Sequence, residues 1–114
     1  MRVEVIIGDW EHQCCGKNLR RGDVIEWACY SEVDGSLHET HHELEGVPVT
    51  QVRGTIVDLL AEDADQWARI ERVPSGRALR GFDPEDGGDV VALDSRAVLD
   101  PSSVDFLVIV EPAP

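Results

Sequence analysis

The hydrophobic residues of this chain come in short runs that alternate with polar ones and stop at turn-forming residues. The clearest run is Val24 to Tyr30. Successive side chains of an extended strand point to opposite faces, so Ile25, Trp27 and Cys29 share one face while Glu26, Ala28 and Tyr30 share the other. Residues 2–7 make an earlier strand of the same kind. Arg21-Gly22-Asp23 and Asp34-Gly35 read as turns. Val49 to Leu60 is β-branched enough for a long strand, with Gly54 as its bulge or bend. Residues 36–46 are polar and read as a loop or one or two helical turns. Ala61 to Gln66 reads as a short acidic connection that coils briefly. Trp67 to Val73 is a further strand, ended by the turn Pro74-Ser75-Gly76. A loop over 81–89, a short strand at Val90–Leu93, a turn or helix start at 100–103 and a closing strand at Phe106–Glu111 complete the chain.

Five or six short strands with little helix predict a mainly β fold: a small SH3-like or OB-like barrel. The stretch Gly22-Asp23-Val24-Ile25-Glu26-Trp27 and the later Val52-Arg53-Gly54-Thr55-Ile56-Val57 have the form in which a turn feeds a strand and its partner bends at a glycine. At 114 residues, 42% hydrophobic and 29% charged, the chain has the size and composition of one globular domain, and 1–114 is read as a single unit.

Charge narrows the partners. Ten Lys and Arg stand against 23 Asp and Glu, a formal net charge of −13. Nucleic-acid backbones and anionic membrane surfaces need clustered positive charge, so neither is expected as a partner. No apolar run approaches the roughly 18 residues of a membrane span. The first residues lead directly into a strand rather than a signal peptide, and an odd cysteine count is a poor disulfide framework. A cytoplasmic location is the expectation.

The most unusual local chemistry is Asp9-Trp10-Glu11-His12-Gln13-Cys14-Cys15-Gly16, joined by His38-Glu39-Thr40-His41-His42. Thiolate and imidazole are the ligands that Zn²⁺ prefers. One candidate is therefore a single zinc ion held by Cys14 or Cys15, with His12, His41 or His42. Neighbouring side chains on an extended chain diverge, and the Cys-x₂-Cys spacing of a zinc knuckle is absent, which favours a packed cysteine and a solvated histidine loop. A third reading makes Cys14 a reactive thiol near Lys17, Arg20 and Arg21, although Asp9, Glu11, Glu39 and Glu43 would raise its pKa. Cys29 is in phase with Ile25 and Trp27 and reads as buried. The loop 81–89 lacks the ligand register of a calcium site. Trp10 and Tyr30 are candidate anchors for a partner, because Trp and Tyr are favoured at interfaces.

Taken together, Asp9-Trp10-Glu11, Cys14-Cys15-Gly16, Gly22-Asp23-Val24-x-x-Trp27, His41-His42 and Arg53-Gly54-x-Ile56 resemble a family of short bacterial proteins known only as a domain of unknown function. The resemblance covers about the first 60 residues and reaches the end through the Phe106–Glu111 strand. It implies a compact single domain in which the Cys-Cys-Gly and His-His pairs belong to the family pattern. It implies no activity.

Two functions are thus expected ahead of a thiol enzyme. The first is a non-enzymatic interaction module for a protein partner with a basic or mixed surface. The alternative is a zinc-type metal-binding domain, structural or sensory.

Overall fold

A computed structural model describes residues 2–8, 12, 16–31, 36–39, 48–63, 65–99 and 105–113. Five strands close into a barrel: β1 (Val3–Ile7), β3 (Val24–Ser31), β4 (Leu37–Glu39), β5 (Thr50–Asp63) and β10 (Phe106–Pro112). Their order is β10-β1-β4-β3-β5, and β5 pairs back onto β10. A sixth strand, β6 (Gln66–Arg69), extends the sheet beyond β5. Two small sheets lie outside it. One pairs β2 (Leu19–Arg20) with β7 (Arg72–Val73), the other β8 (Val90–Val91) with β9 (Val98–Leu99). A short helical turn, α1 (Gly76–Leu79), is capped by the Ser75 hydroxyl, which accepts from the Ala78 N–H. The mainly β barrel expected from the alternation is what forms.

Closure depends on the length of β5. Its first part pairs with β3, from Cys29 opposite Thr50 to Val24 opposite Thr55, and its last part pairs with β6. Its other edge carries β10. The alternation selects the interior: Val5, Ile7, Ile25, Cys29, Val52, Ile56, Leu59, Ala61, Phe106, Val108 and Val110 are all buried. Each of the larger ones contributes about 1.5–3 kcal/mol relative to an exposed side chain.

The inward phase of β5 slips once. Val52, Gly54 and Ile56 point in, and then Leu59 and Ala61 do. Val110 lies opposite Ile56 and Ile109 opposite Asp58, so Val57 is the extra residue of a β-bulge. The bulge is therefore not at Gly54. That glycine is needed for a close approach, since a Cβ there would sit 2.1 Å from the Glu111 carbonyl oxygen.

Asp58 anchors the bulge. Arg21 donates to it at 2.5 Å through Nη2, and through Nη1 to the Ile70 carbonyl at 2.8 Å. Arg69 reaches the same carboxylate at 3.0 Å. Burial alone would raise the Asp58 pKa. The Arg21 hydrogen bond, the Leu59 N–H and the two guanidinium charges outweigh it and hold the carboxyl below its ordinary value.

Other departures from the sequence reading have tertiary causes. Leu37–Glu39 is a strand rather than loop or helix, because it fits between β1, to which it is parallel, and β3, to which it is antiparallel. Ala61–Asp63 continues β5, and the chain turns only at Asp65, whose φ is 67°. The strand expected over Trp67–Val73 breaks after Arg69: Ile70 bridges to Ala92, and Arg72–Val73 joins β2 instead. Pro74-Ser75-Gly76 leads into α1 rather than forming a plain turn. The expected turns at 34–35 and 100–103 lie outside the described residues. Among the described residues no helix is long and apolar enough to cross a membrane.

Candidate functional site

A cavity of about 540 Å³ opens between residues 16–19 and strand β3. Ile7 at the end of β1, Ile25 and Trp27 on β3, and Leu19 give it apolar walls. Strand parity aims Ile25 and Trp27 to the same side, as their alternation predicts. Among the described residues that line it, Asp23, Glu26 and Glu39 are acidic and Lys17 is basic.

Glu39 is the least expected member. It ends β4, lies opposite Cys29 in the register and is only 4% exposed. Its neighbour His38 faces outward by the same alternation and stacks on Tyr30, with ring centroids 5.5 Å apart. The negative charge of Glu39 is felt inside the barrel. Burial chiefly, and then Glu39, push the Cys29 thiol up to about 11.

His12 forms part of the cavity wall and is 1% exposed. Its Nε2 lies 2.6 Å from the Pro74 carbonyl oxygen. A carbonyl only accepts, so Nε2 carries the proton and donates. The ring meets Phe106 edge-on at 5.7 Å. The Gly16 carbonyl in turn accepts from the Gly76 N–H at 3.0 Å. These two hydrogen bonds tie the start of the chain to the entry of α1.

The sequence candidates thus part company. His12 is in the cavity wall, and Tyr30 is on the outside of the barrel against His38. Trp10, Cys14, Cys15, His41 and His42 lie outside the described residues. Among the described residues, no group of three or more His, Cys, Asp or Glu side chains is placed to hold a metal ion. Cys29 is buried and free, as its phase predicts. The sequence reading did not gather Glu39, Glu26, Asp23 and Trp27 into one place. Only the parity of Leu37-His38-Glu39 carried a signal for Glu39, and that signal has no meaning until the segment is known to be a strand.

No curated protein and no solved structure matches the chain. The expected kinship with a domain of unknown function holds, and over more of the sequence than the first 60 residues. The family of unknown function DUF6578 matches residues 1–108, and the chain belongs to it.

Proposed function

We propose that this domain is a non-enzymatic protein-interaction module that grips a basic or mixed partner surface at the cleft beside β3. The observation that supports this reading is the charge of the cleft, where, among the described lining residues, Asp23, Glu26 and Glu39 are acidic and Lys17 is basic. The net charge of −13 adds a field of the same sign over the whole surface. Such a field speeds encounter with a positive partner and makes the encounter sensitive to salt. A barrel closed by β5 and β10 also presents walls formed in advance, which lowers the ordering cost of binding.

Fluorescence anisotropy with labelled nonapeptides of basic, neutral and acidic composition tests the reading. The basic peptide alone should bind, and its affinity should fall about tenfold between low and high salt, as screening of several charges requires. The exposed Glu26→Lys variant should bind it more weakly. Equal binding of all three peptides, no binding of the basic one, or indifference to salt each overturns the proposal.

A further inference from the structure

We infer that the cleft beside β3 is a receptor for one guanidinium group, an arginine side chain seated against Trp27 and paired with Glu39. The inference rests on the proposed interaction site and names what enters it.

Size comes first. About 540 Å³ lies within the range of pockets that hold an organic group, and it is far more than a bare ion fills. No metal-holding group exists there among the described residues. Charge comes second. Three of the described lining residues are acidic: Glu26 is exposed, Asp23 is half-buried and Glu39 is 4% exposed. Attraction between charges strengthens as water is excluded, and the most buried of them, Glu39, therefore gives the strongest hold. The third point is the wall. Ile7, Leu19, Ile25 and Trp27 offer apolar and aromatic surface. A guanidinium is planar, stacks on aromatic faces and is more weakly hydrated than an ammonium. Its aliphatic stem suits the same wall. These properties favour arginine over lysine as the occupant.

The test is an NMR titration of the intact chain with three blocked amino-acid amides: N-acetyl-arginine amide, N-acetyl-lysine amide and N-acetyl-citrulline amide. Citrulline keeps the shape of arginine and lacks its charge. The arginine amide should give saturable shifts at residues 16–19, 24–28 and 37–39. The lysine amide should bind at least a few-fold more weakly, and citrulline should cause no saturable shift. Glu39→Gln should weaken arginine binding about tenfold, the usual loss when a charge-assisted hydrogen bond is removed. Should that variant fail to give a folded spectrum, Glu26→Gln at the exposed rim takes its place and should weaken binding about threefold. Equal binding of arginine and citrulline, tighter binding of lysine, shifts confined to another surface, or unchanged affinity in the variant used each overturns the inference. The basic nonapeptide separates it from the broader reading. If that peptide binds the wild type and Glu39→Gln equally, the arginine receptor is refuted and the interaction module stands. If the peptide binds neither, both fall.

Discussion

Arg72 holds Asp86 through both terminal nitrogens, Nη1 on Oδ2 and Nη2 on Oδ1, each at 2.7 Å. Nη1 also donates to the Asn18 side-chain oxygen at 2.8 Å. One side chain on β7 thereby fixes the loop after α1 to the segment that borders the cleft. The Arg72 hydrogen bond first, and then the Gly88 N–H, hold the Asp86 carboxyl down at about 2.

A depressed carboxylate contributes stability above its unfolded pKa and loses it as pH falls through the folded value. The Arg72–Asp86 contribution should therefore be whole above about pH 5 and disappear toward about pH 2. Asp86→Asn should cost about 1 kcal/mol at neutral pH, because the pair is only partly buried. Urea midpoints measured from neutral to acid pH check this. The wild type and the variant should converge at the acid end.

Cys29 reverses the sign. Its thiol is raised from 9.0 to about 11, so the folded chain disfavours the thiolate. Stability should be level below the unfolded pKa and decline as pH rises from about 9 toward 11. In Cys29→Ala that alkaline decline should shrink. Peptide-mapped alkylation at mildly alkaline pH should label Cys29 far more slowly in the native chain than in urea.

Gly54 tests the closure of the barrel. A methyl group there would meet the Glu111 carbonyl oxygen at 2.1 Å and Pro112 Cα at 2.9 Å, both backbone. Gly54→Ala should destabilise by more than about 2 kcal/mol, since paired strands cannot separate without losing their ladder. Val57, the bulge residue, is the comparison. Val57→Ala should cost less, as that side chain is only half-buried. Chemical denaturation of the two variants ranks them.

Gly16 and His12 make a coupled pair. A Cβ on Gly16 would lie 2.1 Å from His12 Nδ1. The ring would have to move and give up its hydrogen bond to Pro74, so Gly16→Ala should cost about 1–3 kcal/mol. With His12→Ala already present, the second substitution should cost much less. A double-mutant cycle in urea reads that coupling.

The strands legible in the sequence were those whose own residues alternate. Ile25, Trp27 and Cys29 announced the inner face of β3, whereas the closing strand expected at Phe106–Glu111 is apolar at every position from Phe106 to Val110 and so did not show which face turns inward. β4 was not legible. Leu37-His38-Glu39 has no β-branched residue, and its strand geometry comes from the two neighbours that supply its hydrogen bonds. The two-residue strands β2, β7, β8 and β9 are too short to show any period. Of the site, the sequence pointed to His12 as unusual chemistry. It gave no hint of Pro74, which lies 62 residues away.

By itself, then, the order of residues settled which side chains of β3 turn inward and how strongly negative the chain is. Inward facing follows from backbone pleating, a property of each strand alone, and net charge is a sum over the chain. The folded chain decided who meets whom. Glu39 reaches the cavity with Trp27, and Asp58 meets Arg21, only because strands far apart in sequence lock into one register. That register is chosen by the whole closed barrel, where a one-residue slip would turn a buried face toward water.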